Sequence, residues 1–162
     1  MDFSRLNRTR VLLGGLAAIL LIVSILFLPW FSLSDSPTRD ENPEINYICG
    51  NGELSCTGWE TFPILRWLLL ATTLAPLILA YILVRGHKLS WAPGEMTMVV
   101  GFTAFILILY NGIIDRPSDT FDVGLDIGYW VALLSALGIA ITGFTRSVES
   151  APRKTRKAPG TV

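Results

Sequence analysis

Val11–Phe31 reads VLLGGLAAILLIVSILFLPWF, an unbroken run without Asp, Glu, Lys or Arg. A helix of about 20 mostly apolar residues covers the roughly 30 Å hydrocarbon core of a bilayer, so this run is long enough to span. Three more uncharged runs follow, Trp67–Val84, Met96–Ile114 and Ile127–Thr145. None alternates apolar with polar positions in the short segments that a membrane barrel requires, which leaves helices as the expected spanning elements. A hydrophobic content of 51% and a mean hydropathy of +0.52 over 162 residues fit a membrane frame better than a soluble domain. The expected fold class is an all-α membrane protein. Its four-helix transmembrane bundle occupies residues 11–145, with helices at about 11–31, 62–84, 94–114 and 126–145.

Charge orients the bundle. Ten of the thirteen Lys and Arg residues lie at Arg5, Arg8, Arg10, Arg85, Lys88, Arg146, Arg153, Lys154, Arg156 and Lys157. If the runs alternate direction, all of these fall on one side. The opposite side carries Asp35, Asp40, Glu41, Glu44, Glu53, Glu60, Asp115, Asp119, Asp122 and Asp126 against Arg39, Arg66 and Arg116. Lys and Arg close to spanning segments stay cytoplasmic. Residues 1–10 are therefore expected as a cytoplasmic tail and 146–162 as a disordered basic cytoplasmic tail, with outer loops at 32–61 and 115–125. The expected location is the plasma membrane, multi-pass.

The first outer loop holds both cysteines, Cys49 and Cys56. An oxidising exterior permits a disulfide between them. Gly50-Asn51-Gly52 is a tight-turn signal. Ile45–Cys49 could then run out and Leu54-Ser55-Cys56 return as a small β-hairpin, with an irregular closed loop as the alternative. Trp30, Trp59 and Trp67 flank the loop at expected headgroup depth, where an indole suits both phases. Thr57-x-x-Glu60 has the spacing of a helix capping box, and Pro63 marks a bend before the second span.

In the fourth run Gly124, Gly128, Ala132, Ala136 and Ala140 recur at every fourth position. Small residues so spaced let helices approach closely in lipid. The stripe is expected to pack inside the monomer, with a homo-oligomer seam as its other use.

Chemistry-bearing residues are sparse. The single histidine, His87, sits in a short basic loop beside Lys88 with no identifiable partner. Two cysteines are too few for an ordinary zinc site. Asp115, Asp119, Asp122 and Asp126 lack the alternate spacing of a calcium loop. No glycine-rich phosphate loop is present, so no cofactor, metal or catalytic residue is expected. Arg66 is the one charge beside an apolar run, and such residues are functional candidates. A carboxylate such as Glu60 or Asp126, or lipid phosphate, is the expected partner of this snorkelling side chain. Thr72, Thr73, Thr103 and Ser135 are the polar groups expected near the midplane.

Leu28-Pro29-Trp30-Phe31, Gly58-Trp59-Glu60-Thr61-Phe62, Gly128-Tyr129-Trp130 and the tail Arg156-Lys157-Ala158-Pro159-Gly160-Thr161 resemble those of small four-span membrane proteins of actinobacterial-type bacteria. The resemblance covers most of the chain and implies neither an activity nor a site. A likeness to claudins is topological only, because Gly58-Trp59 follows the second cysteine instead of preceding the first. The expected role is that of a non-enzymatic interaction or accessory subunit acting through the outer loop. Trp30, Trp59, Glu60 and Arg66 are its candidate contact residues. Its expected partners are the bilayer and another membrane or envelope protein, without nucleic acid. The alternative is a component of a small-molecule or ion pathway using Arg66, Asn111 and the midplane threonines.

Overall fold

The first apolar run leaves the helix before its end. In the computed structural model, which describes residues 8–33, 49, 55–85, 93–117 and 123–150, helix α1 spans Arg8–Phe27 and strand β1 spans Pro29–Leu33. The expected helix ran to residue 31. Pro29 explains the difference: its ring disfavours helical geometry at the preceding residue, and it has no N–H for a helical bond.

β1 becomes the centre of a three-stranded antiparallel sheet, in the order β2-β1-β3. Its neighbours are β2, Ser55–Thr57, and β3, Val123–Leu125. The molecule is thus mostly helical and not all-α. Against β2, Pro29 faces Thr57 while Phe31 faces Cys56, so the register slips by one residue at Trp30. Such a bulge breaks the usual in-out alternation, and Trp30 and Phe31 are both buried. Within the expected hairpin, Ser55-Cys56 pairs with β1, whereas Ile45–Ile48 and Gly50–Leu54 lie outside the described residues.

A single helical turn, α2 (Gly58–Thr61), follows β2, and helix α3 starts beyond Pro63, at Leu65, and runs to Val84. Helix α4 covers Pro93–Leu109 and widens into a π-helical turn at Tyr110–Ile114, closed by the Asp115 N–H donating to Tyr110 O at 2.9 Å. Helix α5 covers Ile127–Ser150, past the expected end at residue 145. Gly94–Ile114 and Ile127–Val148 are long and apolar enough to cross a membrane, and Leu12–Phe27 and Leu65–Leu79 are shorter apolar stretches.

The helix contacts run round a bundle: α1 packs on α5 and α3, α3 on α4, and α4 on α5 in the most extensive interface. Glycine makes that last contact possible. A Cβ placed on Gly101 would stand 2.5 Å from Ala140 N, and one on Gly94 would stand 2.5 Å from Ser147 N. One on Gly143 would run into the Met98 backbone. The two backbones therefore touch, and van der Waals contact is at its densest there. Ala132, Ala136 and Ala140 are buried in the same bundle. Gly124 is not part of a helical stripe. It lies in β3 opposite Ser32, because α5 begins only at Ile127.

Candidate functional site at the capped end of the bundle

Two helices, α1 and α5, are tied to the sheet by one buried node. Ser24, near the end of α1, donates through Oγ to Gly128 O of α5 at 2.5 Å. The Trp30 indole N–H donates to Ser24 O at 3.0 Å, with Ser24 Oγ at 3.1 Å. The Asp126 N–H donates to Trp30 O at 2.9 Å. With these partners the indole needs no headgroup. Trp30 is 1% exposed, so it is a core residue and not the interfacial contact expected of it.

Aromatic rings close around that node. Trp30 and Phe31 both meet Phe62 edge-on, at centroid distances of 6.5 and 5.7 Å, and Trp30 meets Tyr129 at 6.0 Å. Two glycines leave room for the rings. A Cβ on Gly58 would stand 2.6 Å from the Trp30 indole, and one on Gly112 would enter the Tyr129 ring. The π-helical turn at Gly112 shifts its backbone bonds by one residue, and two side chains donate to carbonyls just before it. Tyr129 OH reaches Ile108 O at 3.2 Å and Asn111 Nδ2 reaches Leu107 O at 2.9 Å.

The disulfide completes the cap. Cys49 and Cys56 are bonded, with Cα atoms 5.2 Å apart, and both are buried. Cys56 faces Phe31 across the sheet, so the covalent link holds Cys49 itself in the core beside it. Thr57 then caps α2. The Glu60 carboxylate accepts the Thr57 N–H at 3.1 Å and its hydroxyl at 3.0 Å, and Thr61 Oγ1 donates to Thr57 O.

At the rim, Arg66 is held by tryptophan instead of a carboxylate. Its guanidinium carbon lies 4.9 Å from the Trp59 ring centroid and 5.8 Å from that of Trp67. The two indoles meet at 5.3 Å. Nη1 donates to Trp59 O at 3.4 Å, a long bond, and Nε is buried with no partner among the described residues. The expected pairing with Glu60 or Asp126 is not found. Glu60 closes the α2 cap, and Asp126 Oδ1 accepts the Ile127 N–H at 2.7 Å at the start of α5. A carboxylate at a helix N-terminus is already favoured by the dipole, which leaves Arg66 without an ion pair among the described residues.

Of the four expected contact residues, Arg66 packs on Trp59 at the rim, Glu60 closes the neighbouring helical turn, and Trp30 is buried in the core. Sequence reading missed Trp67 as a member of this cluster, although its place next to Arg66 was visible. It also missed Gly58 and Gly112 as slots for rings, which no local signal marks. Among the described residues no cluster of His, Cys, Asp and Glu could hold a metal ion. His87 and the acidic pair Asp119 and Asp122 lie outside them. No protein-family model matches the chain, and no curated protein or solved structure matches it either.

Proposed function

We propose that the chain is a four-span plasma-membrane protein that acts without catalysis, as an interaction or accessory subunit whose outer cap docks another membrane or envelope protein. The observation that carries this reading is the cap itself. A sheet, a disulfide and an aromatic core fix residues 29–33 and 55–62 onto the ends of α1 and α5. A connecting loop needs no such construction, whereas a recognition surface gains affinity from being ordered before it binds.

Two features support the four spans. α1 and α3 each have 20 residues, about 30 Å at 1.5 Å per residue. Large apolar side chains also stand exposed along the outward faces of all four long helices, among them Leu16, Ile78, Phe102 and Leu134. Soluble monomers rarely expose apolar side chains in such numbers on every long helix, whereas lipid accommodates them. The pathway reading loses support from the same helices. Thr72, Thr73 and Thr103 donate to carbonyls of their own helices, and so does Asn111.

Single cysteines at Ser118 and Ser147, in a background lacking the native pair, test the topology and should label from outside and inside respectively. Labelling from one side breaks the four-span reading. A photo-cross-linking residue at the exposed Glu60 position tests the docking role in native membranes. It should give one reproducible protein adduct that disappears when reductant opens Cys49–Cys56. Recovery of monomer alone would overturn the role.

A further inference from the structure

Arg66 is the described side chain whose position the cap does not account for. A half-buried guanidinium loses hydration and normally regains it through a carboxylate or a full set of hydrogen bonds. Here Nη1 has one long bond, Nε has none and Nη2 has no protein partner among the described residues. The two indoles compensate in part, since a ring face attracts the cation. The surroundings narrow the ligand. Arg66 is the second residue of α3. The side chains beside it, Ile64, Trp67 and Leu68, are all largely exposed and apolar or aromatic. In the membrane reading above, on which this inference rests, that places the guanidinium at headgroup depth on the outer leaflet, where tryptophan is at home. The anions found there are lipid phosphates.

We infer that Arg66, packed against the touching Trp59 and Trp67 rings, binds the phosphodiester of an outer-leaflet phospholipid through the guanidinium donors that have no partner among the described residues. Phosphate oxygens match the fork geometry of arginine, and such bonds are charge-assisted. The exposed faces of Ile64 and Leu68 then lie against the acyl chains below the bound headgroup. The bound lipid ties the cap to the leaflet, so the docking surface is presented at a fixed height above the membrane.

Native mass spectrometry of the purified full chain in detergent tests this with three probes. These are phosphatidylglycerol, a diacylglycerol with the same acyl chains and no phosphate, and inorganic phosphate as the soluble source of the same chemistry. The wild type should retain phosphatidylglycerol over diacylglycerol, and R66Q should lower that retention by roughly tenfold, the worth of one charge-assisted contact. Inorganic phosphate should not displace the lipid. Equal retention by R66Q, equal retention of diacylglycerol, or displacement by inorganic phosphate would each overturn the assignment. Should R66Q fail to fold, R66K and W67A decide: both should retain less lipid, and wild-type retention by both overturns the site. Loss of the site with Ser118 and Ser147 positions still labelling from opposite sides would remove the lipid contact and leave the four-span reading intact.

Discussion

Replacing Gly101 by alanine should destabilise the protein, and the same replacement at Gly138 should stabilise it. Both glycines lie inside long helices, where alanine is worth about 1 kcal/mol over glycine. The difference is what the new methyl meets. At Gly138 the Cβ would stand 3.4 Å from the Ala17 Cβ of α1, an ordinary contact. The propensity gain survives there. At Gly101 the Cβ would stand 2.5 Å from Ala140 N and 2.9 Å from Ala140 Cα. Carbon atoms prefer roughly 3.5–4.0 Å, so α4 and α5 must part by about 1 Å, which forfeits a quarter to a half of each contact along the seam. Overpacking costs about 1–3 kcal/mol, and a clash with backbone, which has no rotamer to move to, falls in the upper part of that range, about 2–3 kcal/mol. After the propensity gain, G101A should lie about 1–2 kcal/mol below the wild type and G138A up to about 1 kcal/mol above it. At about 2–4 °C per kcal/mol for a chain of this size, the two variants should melt roughly 2–12 °C apart. Thermal unfolding in one detergent, followed by far-UV circular dichroism, reads the difference. A G101A protein as stable as the wild type, or a G138A protein less stable, would refute the backbone-contact account of the α4–α5 seam.

Opening the Cys49–Cys56 bond with C56S should lower stability by about 2.5 kcal/mol on the chain-entropy account of a ring closed by cysteines seven positions apart. The wild-type melting temperature should fall on adding reductant while that of C56S stays fixed, and a wild type indifferent to reductant would contradict the role given to the bond. The tryptophans of β1 and α3, Trp30 and Trp67, should behave differently. W30F removes the N–H bonded to Ser24 and part of a fully buried ring, costing about 1–3 kcal/mol. W67F changes a ring that is 58% exposed and should move stability by less than about 0.5 kcal/mol. Acrylamide should quench Trp67 and spare Trp30 in single-tryptophan variants, and equal quenching would place Trp30 at the surface after all.

The sequence made the apolar runs and their charge asymmetry readable because each is a property of consecutive residues. What it hid depends on residues far apart. Pro29-Trp30-Phe31 reads locally as a frayed helix end with an interfacial indole. Its strand character appears only once Ser55–Thr57 and Val123–Leu125 lie on either side, and segments of three residues carry no periodicity to announce them. The step of four from Gly128 to Ala140 is a real helical face, but extending it back to Gly124 crossed the start of α5. Gly94 and Gly101, seven residues apart and so on one helical face, were readable as a packing stripe and outweigh Gly124 in the seam. At the rim two readings competed for one carboxylate. Thr57-x-x-Glu60 predicts a cap, and Glu60 beside Arg66 predicts an ion pair. The cap prevails. A local bond within one helical turn fixes fewer torsions than an ion pair that must hold two long side chains.

That outcome shapes the whole capped end of the bundle. Because Glu60 closes the cap of its own helical turn and Asp126 caps the helix that follows it, neither pairs with Arg66, which rests on the indoles. Beneath it, Ser24 bridges α1, α5 and the Trp30 indole with a single hydroxyl. A displacement of β1 therefore cannot be absorbed by the cap alone. It would break the Trp30–Ser24 bond, expose Gly128 O and open the α1–α5 contact. Cap and bundle are in this sense one mechanical unit, joined by a buried polar node whose members each depend on the others being in place. A partner gripping the cap would therefore be gripping the ends of the α1 and α5 helices as well.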